Sequence, residues 1–205
     1  MSLKNAKEHL EKYGLDSKIK QFDTSSATVR EAAIALNCKE AEIAKTLSFL
    51  VGDKPILIVT AGNRKIDNAR YKSKFNEKAK MLKADEVEPL IGHKVGGVCP
   101  FGIKDGVDVY LDISLKDFDI IYPACGSSNS AVKLTIKELE KASNYKEWID
   151  VCKIIEWVYS QFYTVERGDG YEKNRKVSLF NHHPSYYSDL FHYNKISTYS
   201  IEWYY

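Results

Sequence analysis

Near the start of the chain, Leu3, Ala6, Leu10 and Tyr13 recur at helical spacing, and Gly14 follows where a left-handed C-cap would end the helix. Residues 18–22 then alternate polar and apolar, as a half-buried strand does. Thr28, with Glu31 three residues on, forms a capping box that opens a helix ending near Leu36. Two apolar runs, 46–51 and 55–60, flank Gly52-Asp53-Lys54, which is hairpin spacing with turn chemistry in the middle, so these two strands are expected at the centre of a sheet. Short helices are expected over 67–75 and 85–91. Residues 96–102 carry three glycines and Pro100, which excludes a helix interior and predicts a shaped loop. Strands follow at 108–112 and 119–122, then a small-residue loop over 124–130, a strand at 131–134, a helix over 135–142 capped by Thr135, and a strand at 148–151. Helices and strands mingle without regular βαβ alternation, so the pattern predicts an α+β domain with a mixed, curved sheet.

Composition divides the chain unequally. Of 205 residues, the last 53 hold 14 of the 25 aromatic side chains and no alanine, with little periodicity. The expected organisation is one domain over 1–152 and an aromatic-rich C-terminal extension over 153–205 of unknown role: its rings could stack on RNA bases or meet a protein partner, but a poorly packed appendage or a read-through extension is the favoured reading. A formal net charge of only +2 argues against wrapping long nucleic acid, and DNA is not an expected partner. No apolar run approaches the ~20 residues that cross a bilayer, and the start lacks the apolar stretch of a secretory signal, so no membrane partner and a cytoplasmic location are expected.

Cys38, Cys99, Cys125 and Cys152 lie far apart without a CxxC pair, which points to reduced thiols rather than a zinc site or disulfides. His93 lies near Cys99 in sequence, but a nucleophilic cysteine needs a base held by a third group, and the local pattern supplies none. His9, His182, His183 and His192 have no metal-ligand spacing, and no metal or cofactor is expected.

Three segments carry a resemblance: Ala44-Lys45-Thr46-Leu47, the VGGVCPFG run over 95–102, and Tyr122-Pro123-Ala124-Cys125-Gly126-Ser127-Ser128-Asn129. In order and spacing they resemble the YbaK/EbsC family and its relative, the editing insertion domain of bacterial prolyl-tRNA synthetases. The likeness runs from about residue 3 to residue 151. It implies a YbaK-like fold, a barrel-like sheet of six or seven strands with flanking helices, curled around a pocket. It also implies metal-independent hydrolysis of the ester that joins a mismatched alanine or cysteine to the end of a transfer RNA. The implied partners are the tRNA acceptor end and an aminoacyl-tRNA synthetase.

Roles follow residue by residue. Lys45 would hold the acceptor end with a compact cation; residue type alone favours a solvated strand-end lysine, and the resemblance reverses that preference. Gly96 and Pro100 match the family's GxxxP element, and with Gly97 they would present backbone N–H groups to the ester carbonyl; the alternative is a plain tight turn. Cys99, Phe101 and Gly102 complete that wall, and Ala124, Cys125, Gly126 and Ser127 form the opposite one. Some family members carry serine where this chain has Ala124, and often an acid where it has Lys133. Phe22 would shape the rim or sit in the core. Asp67 is explained by helix capping as well as by a site. A catalytically silent module that binds an amino acid, an acceptor end or a synthetase is the alternative reading.

Overall fold

The computed structural model describes residues 2–155, so nearly all of the aromatic-rich extension, and what is expected of it, lies outside the described residues. Helix α1 (Ser2–Glu11) buries Ala6 and Leu10 completely. A 3-10 turn over Asp16–Lys18 shortens the first expected strand to β1 (Ile19–Gln21). Helix α2 (Val29–Leu36) opens on the expected capping box, with the Glu31 N–H donating to Thr28 Oγ1 and the Thr28 N–H to the Glu31 carboxylate. The hairpin is longer than the apolar runs indicate: β2 (Ile43–Val51) pairs antiparallel with β3 (Lys54–Ala61) over eight residues.

Next come β4 (Arg64–Ile66), α3 (Asn68–Phe75), β5 (Lys80–Met81) and α4 (Ala84–Ile91). After the glycine loop follow β6 (Asp108–Asp112) and β7 (Ile120–Pro123). The strand expected over 131–134 is two strands, β8 (Ser130–Val132) and β9 (Leu134–Thr135). Between them the Lys133 N–H turns to the Lys18 carbonyl, so the chain leaves one partner and takes another. Helix α5 (Ile136–Ser143), β10 (Glu147–Ile149) and β11 (Cys152–Ile154) complete the described residues.

The main sheet runs β10-β6-β3-β2-β7-β9, with β5 also pairing to β2, which makes seven strands in a mixed, curled sheet. Pairs β10–β6, β6–β3 and β2–β7 are parallel; β3–β2, β2–β5 and β7–β9 are antiparallel. Two antiparallel ribbons lie beside it, β1 with β8 and β4 with β11. Strand alternation sends neighbours to opposite faces. Leu57, Val59 and Ala61 pack with residues of α1, α4 and α5, while Ile56 and Ile58 pack with Tyr71 of α3, Tyr110 and Val151. Each fully buried Leu or Ile stabilises this two-layer core by about 1.5–3 kcal/mol.

Candidate active site

Strand β2 is fully paired on one edge and interrupted on the other. β3 follows it from Ala44 to Val51. On the opposite edge β7 reaches only Ile43 and Ala44, and β5 only Phe49 and Leu50, with the Leu82 N–H closing on the Ser48 carbonyl at 3.0 Å. Between them, among the described residues, no strand neighbours Lys45, Thr46 and Leu47 on that edge. A cavity of about 350 Å³ occupies this interruption, and it is lined by every residue from Ala44 to Ser48. The start of α2 (Ala27, Thr28, Val29), the exposed Met81 of β5, Val87 of α4, the loop residues Val95, Gly96 and Val98, and Ala124 and Ala131 make the remaining walls.

Of the residues expected at the site, Lys45, Gly96 and Ala124 line this cavity together. The expected opposition of the Lys45 ammonium to the glycine loop takes a different form. Alternation places the Lys45 side chain on the face of β2 shared by Leu47 and Phe49, which pack in the α3 layer. Its Nζ donates to the Gly62 carbonyl at 3.2 Å and to the Arg64 carbonyl. Burial pushes this amine below the ordinary lysine range. An ammonium has three N–H donors, so two are used and one remains. The turn that supplies these carbonyls admits only glycine at position 62, because a Cβ there would lie 2.0 Å from the Glu40 carbonyl oxygen and 2.8 Å from Val29 Cγ1.

The glycine loop owes its form to close packing. Gly96 has φ +87°, which disfavours any side chain. A Cβ on Gly97 would lie 2.6 Å from the Ser127 nitrogen and 2.7 Å from the Gly126 carbonyl carbon, so the two small-residue loops touch backbone to backbone. The Gly97 amide is engaged by the Lys94 carbonyl at 3.0 Å, whereas Gly96 stands at the cavity wall.

The other expected residues support these loops from behind. Pro100 is buried, and Cys99, Phe101 and Cys125 are fully buried, the latter three within the main core cluster. A Cβ on Gly102 would meet the Asn5 carbonyl at 2.4 Å, so this residue seats the loop on α1. Gly126 is buried, and Ser127 Oγ lies 2.7 Å from Ser130 Oγ, whose hydroxyl in turn donates to the Cys125 carbonyl. Phe22 ties β1 to the second loop, its N–H donating to the Asn129 carbonyl and its carbonyl accepting from the Asn129 side-chain Nδ2, each at 2.9 Å. Asp67 caps α3 by accepting from Ala69 and Arg70 and pairs with Lys153; the Arg70 N–H, foremost, holds its carboxyl below the usual range. None of these residues lines the cavity.

Sequence reasoning missed the cavity's hydroxyl-bearing residues: Ser26, Thr28, Thr46, Ser48, Tyr122 and Ser130. The Thr in the Lys-Thr-Leu motif was the available clue. It also missed that the chain reverses to bring Cys99 Sγ within 3.5 Å of His93 Nε2. That pair is no nucleophile and base as it stands. Nε2 lies 2.7 Å from the Phe101 carbonyl and so must carry the proton, while burial pushes the Cys99 thiol up and the imidazole down. Burial likewise pushes Cys125 up to about 12. Among the described residues no group of three His, Cys, Asp or Glu could hold a metal ion, and no helix is long and apolar enough to cross a membrane.

Comparison with known proteins places this architecture. Residues 23–142 match the model of the aminoacyl-tRNA editing domain. The chain is 50% identical over 154 residues to the uncharacterized protein YwhH of Bacillus subtilis, covering 75% of this chain and 98% of that protein. It is 30% identical over 110 residues to the proline–tRNA ligase of Halalkalibacterium halodurans, covering 53% of this chain but only 19% of the ligase. Among solved structures, a candidate trans-editing enzyme for prolyl tRNA synthetase superposes with a TM-score of 0.68 at 25% identity, covering 74% of this chain and 97% of that one. The matched residues contain the interrupted strand, both small-residue loops and the cavity between them, and the chain belongs to the aminoacyl-tRNA editing domain family.

Proposed function

We propose that this chain is a trans-editing hydrolase that deacylates mischarged tRNA(Pro), carrying alanine or cysteine, without a metal ion or cofactor. The observation that carries the reading is the cavity at the interruption of β2, with Lys45 and Gly96 on its walls. Its volume suits a small aminoacyl group and the ribose that bears it. In this reading the two carbonyls of Gly62 and Arg64 fix the Lys45 ammonium, and its third N–H holds the ribose or terminal phosphate of the acceptor end. The backbone at Gly96 polarises the ester carbonyl, and a preorganised donor of this kind supplies about 3–4 kcal/mol of transition-state stabilisation. Water, or the substrate's own hydroxyl or thiol, is the attacking group. The mostly apolar walls distinguish one methylene by only about 1–3 kcal/mol, so alanine and cysteine are separated modestly, and a synthetase partner adds tRNA identity. The reaction belongs in the cytoplasm, where charged tRNA is made.

The test is deacylation of purified Ala-tRNA(Pro), Cys-tRNA(Pro) and Pro-tRNA(Pro) by wild type and Lys45→Ala. Faster release of alanine or cysteine than of proline is expected, with at least about a hundredfold loss in the variant if the ammonium acts in the transition state. Wild-type turnover no faster than the variant's removes the enzyme, and binding of acceptor RNA without turnover identifies a silent module instead.

A further inference from the structure

The interruption of β2 leaves a specific set of atoms facing the cavity. Along a strand, alternate residues direct N–H and C=O to the same edge. Ser48 directs its carbonyl to the β5 edge, where Leu82 takes it, so Thr46, two residues earlier, directs its own N–H and C=O to that edge. There it falls between the last β7 pair, Ala44 with Pro123, and the first β5 pair, Phe49 with Met81. Among the described residues neither Thr46 group has a partner on that edge. From Ala44 to Ser48 the open edge spans about 13 Å at ~3.3 Å per residue, too short for a strand and long enough for one amino acid and its ester.

The side chain of Thr46 repeats the message. Its Oγ1 is buried without a hydrogen-bond partner, a state that costs stability unless something else supplies one. Among the described residues no Asp or Glu lines the cavity, so a cation that enters is met there by neutral oxygens. Lys45 is the charged residue on the cavity wall, and its ammonium is drawn to the carbonyls of Gly62 and Arg64, on the face of β2 opposite the Thr46 side chain, so its remaining N–H serves the ribose or phosphate and not the amino group.

We infer that Thr46 is the receptor for the α-amino group of the aminoacyl ester. Its main-chain carbonyl and its hydroxyl accept from that group, and the bound amino acid takes the place of the absent strand residue. This inference rests on the deacylase reading and specifies which part of the substrate the cavity recognises. It makes the site selective for a free amino group, whatever the side chain.

The experiment compares tRNA(Pro) carrying alanine, propionate (the deaminated counterpart) or N-acetylalanine, with Cys-tRNA(Pro) and its deaminated counterpart as a second pair. Relative to each ester's uncatalysed rate, wild type is expected to accelerate the amino ester at least about tenfold more, in kcat/KM, than the deaminated or acetylated ester, since a site built around a hydrogen bond rejects the analogue lacking it. Thr46→Val should shrink that preference severalfold by slowing the amino ester more than the propionyl ester, and Thr46→Ser should keep it; the denaturation midpoint reports whether each variant is folded. Equal wild-type accelerations of amino and deaminated esters overturn the inference while leaving the deacylase intact. So does an equal loss on both esters in Thr46→Val, and so does a preference for the acetylated ester, which would mark a peptide-binding edge. Hydrolysis of neither Ala- nor Cys-tRNA(Pro) removes the deacylase itself and this inference with it.

Discussion

Burial holds the Lys45 ammonium below the ordinary lysine range, so the folded protein gives up this proton at lower pH than the unfolded chain does. Between the two values the unfolded chain binds more protons, and stability rises with pH across that window. Turnover that depends on the ammonium must fall across the same window. Opposite slopes of denaturation midpoint and background-corrected deacylation rate are therefore expected, and in Lys45→Met the part of the stability slope due to this amine should vanish. Parallel slopes would mean that the charge plays no part in the reaction. At this scale, Lys45, Gly96 and Ala124 among the residues singled out in the sequence line the cavity, and the sequence was far less informative about which other loop residues meet it. Cys99, Phe101 and Gly102 sit in the same eight-residue motif as Gly96, yet they face the core or α1, because a loop that doubles back turns neighbours in opposite directions.

Helix α2 begins at the cavity, and its start is held by a capping box made of Thr28 and Glu31. Thr28→Ala removes the acceptor for the Glu31 N–H and should cost about 0.5–2 kcal/mol, seen as a lower denaturation midpoint. Because Ala27, Thr28 and Val29 form part of the wall, KM should rise more than kcat falls, and Thr28→Ser should restore both. The elements easiest to read were those with caps, turns or long periods: α1, α2, the β2–β3 hairpin and α5. Strands β4, β5 and β11 went unseen because two or three residues in a polar stretch such as Arg64-Lys65-Ile66 or Lys80-Met81 show no period. Yet β5 bounds the opening in β2 and β4 carries a carbonyl that receives Lys45, so the least legible elements frame the site.

In the whole molecule, β11 joins distant parts of the chain to that same lysine. Its Ile154 is registered opposite Arg64, and the Ile155 N–H donates to the Asn63 carbonyl at 2.9 Å. The boundary expected at residue 152 thus falls on the first residue of a strand. A chain ended after Ile155 should keep its deacylation rate. One ended after Val151 loses the partner of β4, and its rate should fall by more than its helix content does. If both shortened chains work equally well, the ribbon has no bearing on Lys45.

A sheet with a missing length of strand is less cohesive than one without it. Substitutions that let β5 and β7 meet alongside Thr46 would complete the ladder and raise resistance to heat. They would also abolish the socket. Selection for heat resistance alone would therefore drive this protein toward an inert form, and its most robust variants should be its poorest editors.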